Sequence, residues 1–396
     1  DGSYEDTYFG KLLPYIVKKK DPLINLLFVN SPDYGAMMQR IRRVDPGFIL
    51  LPLEYFLSIF DILRCLFISL ARYFAGISSG AGYSFDGRDV TYLVRMAIKR
   101  EFSSTYFYDN IRVYYEAKNL VKKVKIVKCY YPFENRPLEK LMLLVFRKFC
   151  SNARIIGYQH PSLSLRHTNF LLTQEEAKIT PLPDKIITFG KITKDFMGKI
   201  GNFPTSLLEE GCALRQQQYS GSLKKKKSIE NLLVILATNI EEYIKVLRFL
   251  DNAFGDNSAH NIWIRPHPVF SLDEAIAIYG RPKFRFYKSD KETLSDCLDW
   301  ADLVLYVHST VAVESLARGI PVVYLNIDNV INPDPLFSFN DFRWQTNAPD
   351  DLRPAIKEIN ELSESDFYSR QERAIRYTEK YFYPVNEKTL DIFLKA

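Results

Sequence analysis

Leu303-Val304-Leu305-Tyr306-Val307-His308-Ser309-Thr310-Val311-Ala312-Val313-Glu314-Ser315-Leu316-Ala317-Arg318-Gly319-Ile320-Pro321-Val322-Val323-Tyr324-Leu325 is the stretch that decides the fold. Residues 303–307 form an unbroken apolar run, the pattern of a strand buried on both faces. Residues 311–318 have helical spacing, Gly319 and Pro321 punctuate the chain, and residues 321–325 read as the next buried strand. Upstream the same alternation continues. Strands are predicted at 232–238, 261–265 and 284–287, with helices over 239–254, 272–279 and 291–300. Strict β/α alternation implies right-handed βαβ units and a doubly wound parallel sheet.

The first half is more broken. Strand-like runs at 24–29, 124–127, 154–158 and 185–189 alternate with helical stretches such as 138–149, which suits a second Rossmann-like unit carrying insertions. The polar, basic run 216–228, with Lys224–Lys227 in its middle, reads as a solvated linker. The expected organisation is an N-terminal Rossmann-like domain with a helical insertion (1–215), the linker (216–228) and a second Rossmann-like domain (229–375). A C-terminal helix packing back (376–396) completes it.

At 396 residues the length suits two domains, and 47% hydrophobic with 25% charged residues excludes a disordered, collagen-like or disulfide-scaffold protein. The net charge of +6 is a weak field over this length. Nucleic-acid binding is disfavoured, because the basic residues are not interleaved with aromatics in one stripe. The aromatic content of 14% is high enough to supply a large core and still leave aromatic surface for a membrane or carbohydrate. The five cysteines (Cys65, Cys129, Cys150, Cys212, Cys297) are dispersed, as expected of reduced thiols in the cytoplasm. Neither they nor the five histidines show metal-ligand spacing, and no metal is expected. The chain begins at Asp1 rather than Met, which leaves room for a preceding segment.

Residues 48–74 are the most apolar segment. Its charges, Glu54, Asp61, Arg64 and Arg72, fall within a sector of roughly 80° at about 100° per residue, so the segment is amphipathic and does not span a bilayer. Two readings follow: a helix or helix pair packed in a core, which is preferred, or a helix lying in a membrane interface.

Three motifs fall at strand ends, where ligands bind in open α/β sheets. In Ile262-Trp263-Ile264-Arg265-Pro266-His267-Pro268 a strand delivers Arg265 and His267 to its carboxyl end, donors that suit a phosphate or diphosphate; His267 capping a neighbouring element is the competing reading. After the 303–307 strand come His308, Ser309 and Thr310. Either hydroxyl residue is expected at a helix N-cap that leaves backbone N–H groups for an anion, with Glu314 one turn on as an acceptor for ribose hydroxyls. In the first half, Tyr131-Pro132-Phe133-Glu134-Asn135-Arg136-Pro137 opens a helix and is followed by Gly157-Tyr158-Gln159-His160-Pro161. Glu134, in a loop rich in Tyr and Phe, is a candidate general base with a raised pKa, or merely a helix cap; His160 is the other candidate base. The pair Glu209-Glu210 before Gly211 is a third, weaker source of a base, and His167 a weaker acceptor or phosphate contact.

These residues resemble GT-B glycosyltransferases of bacterial surface polysaccharide assembly, nearest to enzymes that transfer Kdo or sialic-type sugars from CMP donors. The resemblance rests on Arg265-Pro266-His267-Pro268, on the His308-to-Val323 segment and on the two first-half motifs, over roughly residues 120–330. It implies a GT-B-like fold, with two Rossmann-like domains facing a central cleft. It also implies a donor phosphate site at His267, Pro268, Ser309 and Thr310. Glu209-Glu210-Gly211 mimics the acidic pair that supplies the base in bacterial sialyltransferases, but it sits just before the linker. CDP-glycerol phosphotransferases are also similar; their one histidine per domain would here be His160 and His267.

The resulting expectation is an inverting, metal-independent glycosyltransferase with no cofactor beyond a nucleotide-sugar co-substrate. Arg265, His267, Pro268, His308, Ser309, Thr310 and Glu314 would hold the donor, and Glu134 or His160 would activate a glycan or lipid-linked glycan acceptor. Its expected place is the cytoplasm, at the inner face of the cytoplasmic membrane. The rivals are a CDP-glycerol or CDP-ribitol phosphotransferase, a nucleotide-sugar epimerase, and a carbohydrate-binding protein that retains the fold without catalysis.

Overall fold

A computed structural model describes residues 4–28, 33–75, 82–215, 219, 221–237, 239–256, 258–327 and 331–396. Near the N-terminus β1 (Ile24–Leu27) and β2 (Ile49–Pro52) form a parallel pair, and β3 (Ser84–Phe85) and β4 (Arg88–Asp89) a short hairpin. The first domain is built on a parallel sheet of β5 (Lys128–Phe133), β6 (Arg154–Gln159), β7 (Lys185–Thr188) and β8 (Leu208–Glu210), in that spatial order. The second holds β9 (Asn231–Ile235), β10 (Asn261–Arg265), β11 (Tyr287–Lys288), β12 (Leu303–Tyr306), β13 (Val322–Leu325) and β14 (Arg343–Thr346). Its order, β11-β10-β9-β12-β13-β14, is that of a doubly wound sheet, with the switch between β9 and β12.

The central strands β9, β12 and β13 are buried on both faces, which is why they read as continuous apolar runs. Each fully buried Leu or Val there contributes about 1.5–3 kcal/mol relative to exposure. The strand expected at 124–127 is displaced. The helix Thr105–Lys123 runs up to Val124, whose N–H still bonds Leu120 O, so pairing begins only at Lys128. Of the run expected at 284–287, only Tyr287 is paired, together with Lys288. Strand β14 carried no apolar signal and was not anticipated. Thr238 and the linker residues 216–218 and 220 lie outside the described residues.

The basic run is largely exposed, yet it is tied down at several points. Lys224 N–H donates to Arg318 O, Lys226 Nζ to Asn360 O, and Lys227 Nζ pairs with Asp302 at 2.7 Å, so the segment is laced onto the second domain. The core-packed reading of residues 48–74 holds for Leu53 and Phe56, which are buried, and is corrected for the helix that follows. The segment forms β2, a short 3-10 turn and the helix Ile59–Ala75, and that helix turns Cys65 inward while most of its large apolar side chains face out.

From the second domain the helix Glu364–Tyr381 packs on the helices Val311–Ala317 and Lys191–Lys199, one from each domain, before the last helix, Glu387–Lys395, joins the first. Gly190 permits this crossing, since a Cβ there would lie 2.2 Å from Tyr381 O and 2.6 Å from Lys380 O. Gly190→Ala is therefore expected to destabilise the fold by about 1–3 kcal/mol through overpacking. A lowered urea midpoint would read this out; an unchanged midpoint would show that the crossing yields.

Candidate active site in the interdomain cleft

The first-domain wall is a loop pinned from two sides. Glu139, in the first turn of the helix Pro137–Phe149, accepts from the N–H groups of Glu134 (3.1 and 3.2 Å) and Asn135 (2.9 Å). Asn135 adopts the left-handed conformation (φ 55°), which asparagine tolerates, and its Nδ2 donates to Asn169 O at 2.7 Å. Asn169 in turn donates to Glu134 O at 2.5 Å. Burial pushes the Glu139 carboxyl up to about 8, against the pull of these N–H groups. Backbone capping thus falls to Glu139, and the Glu134 carboxylate is left for the cleft.

Glu134 Oε1 lies 3.1 Å from Nε2 of His160, and its other oxygen pairs with Arg136 Nε. The expected raised pKa of Glu134 is corrected. The contact with His160 lowers it, more strongly than burial raises it, and Arg136 adds to the effect. The angle at His160 falls short of a well-aligned hydrogen bond, and its Nδ1 is buried without a partner. The Tyr8 ring packs 4.7 Å from the imidazole, and the Arg215 guanidinium lies 5.3 Å from the centre of Tyr8.

The second-domain wall straddles the sheet's switch point. His308, after β12, places Nδ1 3.0 Å from Oε2 of Glu242, which stands in the first turn of the helix following β9. After β10, His267 donates its N–H to Tyr243 OH at 2.6 Å, and its Nδ1 accepts from Val269 N–H at 3.3 Å. That leaves Nε2 as the protonated nitrogen of neutral His267. His167 of the first domain is held alike, Nδ1 accepting from Ser164 N–H at 3.2 Å. Burial, and then the charge of the neighbouring His308, lowers the pKa of both His167 and His267. Three histidines from two domains thus share one electrostatic neighbourhood.

The domains meet where Thr310 Oγ1 donates to Ser162 Oγ at 2.9 Å. This changes the expected anion cap. Thr310 enters the helix in the α conformation, Ser309 Oγ accepts from Val311 N–H, and the N–H groups of Ala312 and Val313 bond back to Ser309 and Thr310 carbonyls. Those donors are spent within the turn. Arg265 likewise points Nη1 at Ser289 O, Glu292 O and Cys297 Sγ, buttressing the strand end from behind. Pro268 is exposed in the loop. Glu314 retains part of its accessible surface, yet the protein crowding its carboxylate raises its pKa to about 7. Glu210 is engaged elsewhere, with Lys194 (3.2 Å) and Tyr383 OH (2.8 Å). Beside the cleft an apolar cavity of 240 Å³ runs between Phe196 of the first domain and Phe337 of the second. Among the described residues no group of three or more His, Cys, Asp or Glu converges as a metal site.

Glu242, Tyr8 and Ser162 were not anticipated. Glu242 looks like any acid in a helix's first turn, with its N–H capped by Asn239, and Tyr8 approaches from the far N-terminus.

No known family profile matches the sequence, and no curated protein does. Solved structures do match in fold. A glycosyltransferase from Rickettsia africae superposes with a TM-score of 0.52 at 10% identity, covering 97% of this chain and 92% of that one. MurG from Acinetobacter baumannii gives 0.52 at 10% identity, covering 97% and 94%. A TarM variant from S. aureus, in complex with fondaparinux, alpha-GlcNAc-glycerol and UDP, gives 0.50 at 10%, covering 100% and 98%. At these identities the likeness establishes the fold: the chain is GT-B-like, two Rossmann-like domains facing a central cleft.

The loop geometry carries its own test. Glu139→Ala leaves two N–H groups without their acceptor and is expected to cost about 1–3 kcal/mol. Glu139→Gln keeps an acceptor but cannot ionise. Because the folded-state pKa of Glu139 lies above its unfolded value, the folded chain binds more protons between about pH 4.5 and 8, and this contribution to stability is lost as pH rises through that window. Urea titrations at several pH values should show Glu139→Gln gaining on the native chain as pH rises.

Proposed function

We propose that the chain is an inverting, metal-independent glycosyltransferase that moves a nucleotide-activated sugar onto a glycan or lipid-linked glycan acceptor. The observation that carries this is the facing of two walls: the Glu134–His160 contact on the first domain, and His267 with His308–Glu242 on the second. Solved relatives in fold are glycosyltransferases, and the TarM complex pairs a nucleotide with a glycosylated glycerol in the same architecture. The favoured donor carries a Kdo or sialic-type sugar on CMP.

In this reading the Glu134–His160 pair takes the acceptor hydroxyl proton, with the Glu134 carboxylate its partly exposed member. The acceptor oxygen bonds to the anomeric carbon from the face opposite the leaving group. The anomeric C–O bond to phosphate breaks, and its electron pair stays on the phosphate oxygen. The Nε2–H of His267 donates to that developing charge, which a preorganised dipole stabilises without reorganisation. Ser309, Thr310 and His308 line the donor side, and Glu314 accepts from ribose hydroxyls when ionised.

Transfer from a panel of CMP-sugars in EDTA is the direct test. Activity should persist, His160→Ala should lower kcat by about 10²–10⁴-fold, and Glu134→Gln should lower it by about tenfold or more. Strict dependence on a divalent ion would sink the metal-free mechanism. Donor affinity is expected to fall as pH drops below about 7, where Glu314 takes up a proton, and Glu314→Gln should flatten that dependence. A pair of histidines from opposite walls, His160 and His267, also suits a CDP-glycerol-type phosphotransferase. A donor labelled at phosphorus separates the two, because only the phosphotransferase moves label to the acceptor.

A further inference from the structure

The helix Ile59–Ala75 is amphipathic with its faces reversed. Its other side faces the helix Thr105–Lys123: Asp61 accepts from Asn119 Nδ2 at 2.9 Å, the exposed Arg64 lies 5.7 Å from the Tyr115 ring centre, and Cys65 is fully buried. Its apolar stripe points out, at positions Ile59, Phe60, Leu63, Phe67, Leu70 and Phe74, with Phe60 77% and Phe74 80% exposed. These positions recur at helical spacing, so the stripe runs the length of a helix roughly 25 Å long. The helix Thr91–Phe102 packs beside it and extends the surface with Tyr92, Leu93 and Met96, all more than half exposed. Phe85, at the tip of the β3–β4 hairpin, is 76% exposed. An apolar surface of this extent needs a cover.

We infer that this face docks on an anionic lipid bilayer. Between Ile59 and Phe102 six basic residues stand against four acidic ones. Two of those acids are engaged locally, Asp61 by Ser58 and Asn119 and Asp89 by the N–H of Thr91. Arg88, Lys99 and Arg100 are exposed beside the apolar surface, the arrangement that lets side chains enter the acyl boundary while cations meet lipid phosphates. Half of the exposed side chains named on this face are Phe or Tyr and the rest aliphatic or Met, a mix that suits the acyl boundary. A second copy is the poorer cover. A two-fold interface would set this same basic rim against itself. No helix among the described residues is long and apolar enough to cross a membrane, so the contact is peripheral.

The surface lies on the domain that carries Glu134 and His160. The helix Thr105–Lys123 separates it from the helix Pro137–Phe149, which begins at the Glu134 loop. Docking would therefore bring the acceptor wall to the membrane. The inference does not rest on the transferase reading, since vesicle binding is read without turnover.

Flotation of the full chain with vesicles tests it. The native chain should float with phosphatidylglycerol–phosphatidylcholine vesicles and far less with phosphatidylcholine alone. The double substitution Phe67→Glu/Leu70→Glu should lower the bound fraction by about tenfold or more. Its unfolding midpoint should stay unchanged, because both side chains are exposed. Lys99→Ala/Arg100→Ala should weaken binding to the anionic vesicles only, and the more so at low salt. Failure of the native chain to float would overturn the inference. So would sedimentation showing a concentration-dependent dimer that Phe67→Glu/Leu70→Glu dissolves, since the face would then be an interface between copies.

Discussion

Tyr383 is stitched between two strand ends of the first domain although it follows the second in sequence. Its N–H donates to Phe189 O at 2.9 Å, its carbonyl accepts from Ala213 N–H at 3.0 Å, and its hydroxyl reaches Glu210 Oε2 at 2.8 Å. Beyond it Tyr130 donates to Phe393 O, Lys128 to Leu394 O, and Tyr15 to Asp391. The last residues of the chain thus complete the core of its first domain. Upstream, Gln371 Nε2 ties the preceding helix to Gly319 O and to Lys224 O, binding second domain, connector and brace together. One buried apolar cluster runs through both sheets as a result. Any opening of the cleft has to bend the chain at its two crossings, around Gly211–Arg215 and around Phe382.

That brace gives the two cleft walls a fixed frame, within which they are built differently. The first-domain wall is rigid, because Glu139, Asn135 and Asn169 fix the loop that aims Glu134. The second-domain wall is a set of loop histidines, each oriented by one backbone or carboxylate partner. Across the gap the hydroxyl pair Thr310–Ser162 is a bond between neutral groups, worth about 0.5–1.5 kcal/mol. A contact of that size breaks readily when a ligand replaces it. The spent N–H groups of the Val311 helix have a related consequence. The groups that this cleft does present are side chains, chiefly imidazoles.

The second sheet was legible because burial on both faces leaves its strands no polar interruptions, and β10 and the helix Leu272–Tyr279 lie where spacing put them. The first sheet was harder. Helix Thr105–Lys123 ends in Val124 and runs straight into apolar residues, so periodicity could not place the boundary before Lys128. Glu134, His160, His267 and His308 could be singled out as candidates because ligands bind at strand ends in open α/β sheets. Their partners could not. Glu242 and His308 are 66 positions apart and meet only across a switch point, and the role of Glu139 depends on a left-handed Asn135. Arg265 shows a second use of such a position: a strand end offers ligands to the cleft, but a long side chain there can also turn a nitrogen back to local carbonyls, as Nη1 does here.

The reversed helix shows how far pattern and environment can part. Periodicity alone identifies two faces but not which of them meets water. Here the inward face was decided by partners already in place: Asn119 for Asp61, the Tyr115 ring for Arg64, and a buried slot for Cys65. Turning the helix over would bury Phe60, Phe67 and Phe74 but strand those polar groups. The protein side is therefore satisfied, and the unfavourable surface is exported to the outside. In water that is a liability at every exposed phenylalanine; against a bilayer the same residues gain burial at no cost to the fold. Much of the aromatic excess of the sequence lies in the buried core, and part of it is gathered on this outward face, which belongs to the domain carrying Glu134 and His160.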